Sequence, residues 1–390
     1  MSATAGMSLT TPHAAPVMER TTAPALVSRK VDGQEWDAVI SGFDGVCQEQ
    51  LHAFAAVRWP GVAPEPRLFE RGGRVVGGAL VLVQSLPLGL ANIAIIKWGP
   101  MLADAQAPDA MAVYAGMVEA LKAEYADQRG MMLSILPHAA LGVRNDEYRT
   151  LRQAGFKRGA PLRFYDRYIV NLRLPDEALR KSFDQAWRRQ LNKAEKSGLG
   201  FEHAGAERIG AFKALYAAMT DRKQFPDYSA FDTLDALMAL EEPLRPELFF
   251  VRHEGEIVAG ALIFKAGERT VYLYGATNDR ALPLRAGYFL HFHIIRWLRD
   301  HTRANWYDLG GTDGYQGLHQ FKKGMVGTEG MIRPVPPVAN YASRPLVYLL
   351  GAGAFAARES FNELRRRIEM LRPAKARPEG TPQPLPEEFR

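Results

Sequence analysis

The 390-residue chain contains a single cysteine, Cys47. One cysteine excludes an internal disulfide bond and any zinc site that is built from several cysteines. The nine histidines form no convincing ligand set either. His291 and His293 lie two residues apart in a predicted helix, so their side chains diverge instead of sharing a face. The sequence therefore predicts no metal site.

Long hydrophobic runs are also scarce. Residues 1–26 are rich in alanine, threonine and proline and lack the basic segment and apolar segment of a signal peptide, so we expect a disordered leader. The apolar stretch 345–357 is too short to span a bilayer. These features predict a cytoplasmic protein.

Charge of one sign is only mildly in excess, with a net charge of +6. A basic balance of this size suits phosphorylated substrates, tRNA or the anionic inner face of a membrane, and it selects none of them. Because the positive charge is spread along the chain, an ordinary solvated surface explains it equally well.

The chain instead shows an internal repeat. The stretch RLFERGGRVVGGALVL near residue 70 corresponds to LFFVRHEGEIVAGALIF near residue 255, and each is followed by a strand, a long helix, another strand and a Phe-Lys-containing element. This order predicts two α+β domains with mixed sheets, at 27–165 and 166–345. For 346–390 we expect a C-terminal helix that packs on the first domain, followed by a disordered tail.

Several motifs occur in an order that resembles the FemABX family. They are WRRQLNKAEKSGL (187–199), MTDRKQF (219–225), YLYGAT (272–277), WYDLGG (306–311) and GLHQFKKG (317–324). The resemblance covers roughly residues 30–350. It implies two tandem domains of the GNAT acyltransferase fold.

The resemblance also implies an activity. Family members are peptidyltransferases that move an amino acid from aminoacyl-tRNA onto an amine of a peptidoglycan precursor, which is a UDP- or lipid-linked muropeptide. An enzyme of this family uses no metal and no redox cofactor.

Within this family pattern, Lys322 corresponds to the lysine near the acyl-transfer centre, and Phe321 lies beside it. A fixed positive charge there would stabilise the tetrahedral oxyanion of aminoacyl transfer. We expect a glycine-flanked strand here. If Lys322 has this role, Lys322→Met abolishes transfer and hardly changes the melting temperature. The alternative is an exposed strand lysine beside an ordinary core phenylalanine, Phe321. Asp308 and Asp313 could accept a proton from the attacking ammonium, or they could cap the intervening glycine turn.

Two arginines correspond to family positions that contact the diphosphate of a UDP-linked precursor. They are Arg58 and Arg222, and guanidinium groups suit phosphate oxygens because they donate two parallel hydrogen bonds. Ordinary surface ion pairs are the alternative for both. Tyr274 and Tyr288 could shape the pocket or belong to the core. The chain departs from the family pattern after the Phe-Lys pair, where it has Met325 and Val326.

The predicted helix 176–197 carries Arg189, Lys193 and Lys196 on one face. This face could contact tRNA phosphates, or it could be an ordinary solvated helix surface. The basic helix 355–371 could assist contact with the inner face of the membrane.

Two other functions stay open. The first is an acyl-CoA-dependent N-acyltransferase, although the loop before the predicted helix at 287 matches the CoA-binding pattern of GNAT enzymes only at Arg285 and Gly287. The second is a catalytically silent binding protein on the same scaffold.

Overall fold

The computed structural model describes residues 25–223, 230–370 and 385–389. Most of the predicted leader and most of the predicted tail lie outside these residues.

The described chain forms fifteen strands. They are β1 (Val27–Lys30), β2 (Ala63–Arg71), β3 (Arg74–Ser85), β4 (Asn92–Lys97), β5 (Met101–Leu102), β6 (Met132–Leu136), β7 (Lys157–Arg158), β8 (Asp166–Asn171), β9 (Gly200–Ala204), β10 (Glu247–His253), β11 (Glu256–Phe264), β12 (Arg269–Thr277), β13 (Trp306–Asp308), β14 (Met331–Pro334) and β15 (Ala339–Tyr341).

Eleven α-helices connect and cover these strands in the described residues. They are α1 (Gly33–Ile40), α2 (His52–Arg58), α3 (Ala110–Leu121), α4 (Asp146–Gln153), α5 (Asp176–Ser182), α6 (Gln185–Glu195), α7 (Ile209–Lys223), α8 (Leu234–Met238), α9 (Ala286–His301), α10 (Gln316–Val326) and α11 (Pro345–Met370). In the part of the chain that the structure describes, none of them has the length and apolar character needed to cross a membrane.

The strands form two mixed sheets of similar plan. The first sheet has the order β1-β2-β3-β4-β6-β15-β7, with β5 paired to β3, and the second has the order β14-β8-β13-β12-β11-β10-β9. Each sheet combines an antiparallel meander with one parallel pair, β4 with β6 and β12 with β13. The prediction of two tandem α+β domains with mixed sheets is confirmed.

The hairpins at the start of each repeat turn where the sequence places glycine. Gly72 and Gly73 join β2 to β3 with φ angles of 57° and 75°, and Glu254 and Gly255 join β10 to β11 with 51° and 81°. Two successive residues with positive φ make a turn whose twist matches that of the flanking strands. Glycine adopts this conformation without steric cost, so it directs both turns.

The two domains share an apolar core. Trp36 and Leu80 of the first domain belong to the same buried cluster as Leu237 and Phe264 of the second. All four side chains are at most 1% exposed. Burying such a side chain stabilises the fold by about 1.5–3 kcal/mol, so the domains pack against each other as parts of one core.

The domains also exchange strands. β8 follows β7 in the chain but lies in the second sheet, between β13 and β14. β15 follows β14 but lies in the first sheet, between β6 and β7. Each sheet is therefore completed by a strand that follows the other sheet's last strand.

This exchange corrects the predicted boundary at residue 345, because β15 belongs to the first domain. The described end of the chain also packs there: Phe389 is 2% exposed, and its ring centroid lies 5.2 Å from that of Tyr148 in α4. This end of the predicted disordered tail is thus ordered against the first domain.

The central position of β15 leads to a test with proline. Asn340 pairs with Ser134 on one side and Lys157 on the other. Asn340→Pro removes a backbone donor from the interior of the sheet, and we expect the free energy of unfolding to fall by about 3 kcal/mol or more. Urea denaturation followed by circular dichroism would measure the loss.

Asn340→Ala is the matched control, because it removes the same side chain and keeps the backbone N–H. Equal stability of the two variants would contradict a structural role for the backbone of β15.

Candidate active site

The parallel pair of the second domain is short. β12 and β13 pair only from Arg269 with Trp306 to Val271 with Asp308. β12 then continues to Thr277, whereas the chain after β13 turns away at Gly310, where φ is 75°. The two strands separate at this point and open the second sheet.

An irregularity in β12 changes which side chains face each side of the sheet. Tyr274 pairs with Leu262 and Tyr272 pairs with Ile263, so Leu273 is an extra residue between them. Residues two apart normally share one face of a strand, and a bulge reverses this relation. Tyr272 accordingly contacts His291 of α9, with 4.9 Å between ring centroids.

Lys322 lies on α10, and its side chain is buried beside the opening. The residue is 5% exposed, and its Nζ donates hydrogen bonds of 2.5 Å to the carbonyl oxygens of Leu309 and Gly311. These carbonyls belong to the turn that follows β13. Lys322 therefore ties α10 to the point where the two strands separate.

The prediction of a strand at the Phe-Lys element was wrong, because residues 316–326 form a helix. The glycine that suggested a strand border has another role: a Cβ on Gly324 would lie 3.1 Å from the indole of Trp187. Gly324 permits close packing of α10 on α6. The helix also gives Lys322 and Lys323 different environments, since Lys323 is exposed.

Burial changes the protonation of this region. Burial, together with the charge of Arg167, lowers the pKa of Lys322 to about 8. Burial, together with the charge of Lys322, lowers the pKa of His291 to about 3. At neutral pH the lysine is therefore mainly an ammonium, and the neighbouring imidazole is neutral.

An aromatic cluster lines the other side of α10. The ring of Phe321 lies 5.0 Å from that of Tyr288, 5.6 Å from His291 and 6.2 Å from Trp187. Phe321 and Tyr288 were predicted to belong to the site, and the structure brings them together beside Lys322.

The carboxylate of Asp308 is bound by an arginine. It is 2% exposed, and the guanidinium of Arg167 donates to both carboxylate oxygens at 3.0–3.1 Å. Burial would raise the pKa of Asp308, but Arg167 and Arg269 hold it below its ordinary value. A carboxylate in this environment is a poor proton acceptor, so its geometry suits an anchor. Asp313, with a φ of 49°, is exposed near Lys322.

The predicted diphosphate ligands lie on the α7 side of the second sheet. Arg58 of α2 donates to both carboxylate oxygens of Asp232 at 3.1 Å, across the domain interface. Arg222 donates to Asp279 at 2.7 Å and to the carbonyl oxygen of Thr277 at 3.0 Å.

Tyr274 is buried on that same side of the sheet, and its hydroxyl donates to the carbonyl oxygen of Ala230 at 2.7 Å. The structure thus divides the predicted residues between two faces. Arg58, Arg222 and Tyr274 lie on one face, and Lys322, Phe321 and Tyr288 lie on the other.

The helix predicted to contact tRNA is amphipathic. Trp187, Leu191 and Ala194 of α6 are buried, whereas Arg189, Lys193 and Lys196 are exposed. Lys196 lies just past the last helical residue, Glu195. The three cations face solvent together.

Sequence reasoning missed Arg167, Arg269 and His291. Arg167 lies in β8, which pairs with β13, and it precedes Asp308 by 141 residues, so no local pattern indicates it. From the sequence we rejected His291 as a metal ligand. Its proximity to the charge of Lys322 depends on how α9 and α10 pack.

The buried contacts of Lys322 change the expected effect of its substitution. Lys322→Met leaves two buried carbonyls without their donor, which costs about 1–3 kcal/mol. We therefore expect a measurably lower melting temperature in differential scanning calorimetry, in contrast to the expectation from sequence. Lys323→Met is the matched control and should cost no more than about 0.5 kcal/mol. An unchanged melting temperature in Lys322→Met would show that the carbonyls find other partners.

Known proteins are similar to this chain in part of its sequence and in its fold. Residues 181–323 match the family model described as an acetyltransferase (GNAT) domain. A lipid II:glycine glycyltransferase of Staphylococcus saprophyticus is 35% identical over 77 residues, and one of Staphylococcus aureus is 34% identical over 77 residues. These matches cover 18% of this chain and 18% of the length of each curated relative.

Solved structures match over most of the chain. The crystal structure of FemX has a TM-score of 0.67 at 20% identity and covers 84% of this chain and 100% of its own. L-PGS from Bacillus licheniformis has a TM-score of 0.51 at 13% identity, with 83% and 96% covered. The predicted tandem GNAT fold is confirmed. The chain is thus similar to FemX in fold and to the glycyltransferases over a 77-residue segment, as its motifs lead one to expect.

Proposed function

We propose that the protein is an aminoacyltransferase that moves an amino acid from aminoacyl-tRNA to an amine of a peptidoglycan precursor. The observation that carries this proposal is the buried ammonium of Lys322 at the opening between β12 and β13. It lies within the residues that match the GNAT family model. The names of the glycyltransferase relatives support a lipid II-type acceptor.

The geometry of Lys322 suits charge stabilisation. An ammonium has three N–H donors, and two of them are used by Leu309 and Gly311. The third is available for the oxyanion that forms when an amine attacks the aminoacyl ester. In a buried site this interaction is stronger than in water, because little solvent screens it. The neutral His291 beside it adds no competing positive charge.

Asp313 is the better of the two predicted proton acceptors. It is exposed near Lys322, whereas Asp308 is held by Arg167. In this proposal Asp313 receives the proton that the attacking ammonium loses. Asp308 keeps the turn after β13 in place through its hydrogen bond with the N–H of Gly310, which is 2.8 Å long.

The exposed cations of α6 would contact the tRNA. Phosphate contacts of this kind are electrostatic and weaken with salt. Arg58 and Arg222 would bind the diphosphate of the acceptor, which would replace their present partners, Asp232 and Asp279. Both aspartates are exposed, so they can return to water at little cost.

Contact with the cytoplasmic face of a membrane fits a lipid-linked acceptor, and α11 supports it. Among its side chains that the structure describes, four large exposed apolar ones lie within one arc of the helix: Leu346, Leu349, Phe361 and Leu364. An amphipathic helix with such a stripe can lie in the interface of a bilayer. The net charge of +6 favours anionic lipid.

The start of α9 argues against an acyl-CoA donor. GNAT enzymes bind the pyrophosphate of CoA with free backbone amides at this position. Here the N–H of Ala286 donates to Ala281 at 2.9 Å and the N–H of Arg285 donates to Leu282 at 3.1 Å. Amides that are already used in this way offer little to a pyrophosphate.

A donor test on the purified protein addresses the activity. The protein is incubated with radiolabelled aminoacyl-tRNA, and separately with labelled acetyl-CoA, in the presence of UDP-linked and lipid-linked muropeptides. We expect label to move from tRNA to a muropeptide, to be lost in Lys322→Met and to persist in Lys323→Met. Transfer from CoA alone would contradict the proposal that aminoacyl-tRNA is the donor. No transfer from either donor would favour the catalytically silent binding protein.

A second test concerns the diphosphate. Arg222→Gln removes a bidentate charged donor, which is worth about 1.5–3 kcal/mol. We expect the KM for a UDP-linked muropeptide to rise about tenfold or more, with kcat nearly unchanged. Arg280→Gln is the control, because Arg280 is also a half-buried arginine paired with carboxylates, Glu254 and Glu256. An equal KM in both variants would contradict the proposal that Arg222 binds the diphosphate.

A further inference from the structure

A cavity of about 290 Å³ lies between the two domains, apart from the aromatic cluster and from Arg58 and Arg222. Its first-domain walls are residues 44–49, Trp98 and residues 138–142, and its second-domain wall includes Arg269 and Asp308. Trp98 follows β4, and residue 138 follows β6 by two positions. The cavity thus lies at the carboxyl ends of the parallel strands of the first sheet, where sheets of this kind commonly bind ligands.

Of the two arginines of the cavity wall that face Asp308, Arg269 is held less closely by the carboxylate than Arg167 is. Arg167 takes both oxygens of Asp308, whereas Nη1 of Arg269 lies 4.0 Å from the same carboxylate. Within the described residues, Nη2 of Arg269 donates a hydrogen bond of 3.0 Å to the carbonyl oxygen of Ala139. Burial, with the charge of Arg167 adding to it, lowers the pKa of Arg269. Burial outweighs the compensation that Asp308, Glu147 and Glu268 give this cation, so a bound anion would stabilise it further.

A second donor lines the same cavity. Nε2 of His138 is buried and has no hydrogen-bond partner among the described residues. The other ring nitrogen of His138 lies 3.5 Å from Glu147. In the imidazolium form, which has two N–H donors, Nδ1 is directed at Glu147 and Nε2 can donate to a bound anion.

We propose that this cavity binds a small monocarboxylate, whose oxygens accept hydrogen bonds from the free N–H groups of Arg269 and from Nε2 of His138. The planar guanidinium matches a carboxylate well. A monoanion suits the site better than phosphate, because carboxylates that also line the cavity repel a second negative charge. They are Asp44, Glu49, Asp146, Glu147, Glu268 and Asp308. The volume is that of about ten water molecules, so the ligand is small.

Ligand binding at this site would affect the position of the Lys322 ammonium. Arg167 and Arg269 face Asp308, and Asp308 accepts the N–H of Gly310. The neighbouring carbonyls of that turn accept the hydrogen bonds of Lys322. A ligand that draws the charge of Arg269 away from Asp308 therefore acts on the turn that positions the ammonium.

The test uses sodium acetate as the probe, on the full chain labelled with ¹⁵N-histidine. We expect saturable shifts of the His138 Nε2 resonance, assigned with His138→Gln, and a melting temperature that rises with acetate concentration. Sodium chloride at equal ionic strength should produce neither. Arg269→Gln should weaken acetate binding about tenfold or more, and Arg208→Gln, in a surface ion pair elsewhere, should leave it unchanged.

Each outcome decides the proposal. No saturable response to acetate, an undiminished response in Arg269→Gln, or a response to inorganic phosphate but not acetate would overturn it. If Arg269→Gln does not fold, His138→Gln supplies the same comparison by its effect on the acetate-dependent melting temperature. The assay measures binding without turnover, so its result is independent of whether the protein transfers an aminoacyl group.

Discussion

The buried carboxylate of Asp308 is the point through which the domains and the candidate site are connected. It lies at the end of β13, where the second sheet opens, and a charge there must be neutralised. Arg167 from the exchanged strand β8 supplies most of that neutralisation, with Arg269 of β12 nearby. The same carboxylate fixes Gly310, and the turn around Gly310 receives Lys322. One ion pair thereby sets the position of the ammonium, and it depends on a strand that follows the other domain in the chain.

The second sheet separates two sets of residues that the family pattern would bring to one substrate. The bulge at Leu273 directs Tyr272 toward Lys322 and Tyr274 toward Arg58. A donor beside α6 and α10 and an acceptor beside α2 and α7 would therefore approach from opposite faces and meet where β12 and β13 part. Two large substrates bound in this way would not compete for the same surface.

Much of the fold follows from the sequence, because its signals are local. The glycine turns at Gly73 and Gly255, the apolar runs of strand length and the repeat itself predict both meanders. From the sequence we predicted a strand in place of helix α10, because glycines there suggest an extended segment. In the structure Gly324 instead allows α10 to pack closely against Trp187. The environment of Lys322 could not be predicted for a similar reason. Its hydrogen-bond partners are backbone carbonyls, and its pKa is lowered by the charge of an arginine more than a hundred residues earlier. No spacing rule indicates either.

The exchanged strands also bear on how the protein is made. Protein synthesis proceeds from the N-terminus, and domains generally fold as they emerge. Here the first sheet lacks an inner strand until residues 339–341 have left the ribosome. Until then the facing edges of β6 and β7 have no partner, and unpaired edges of this kind invite contact with other chains. Completion of the first domain must therefore wait for nearly the whole of the second to be translated, and during that interval a nascent chain would benefit from chaperones that cover strand edges.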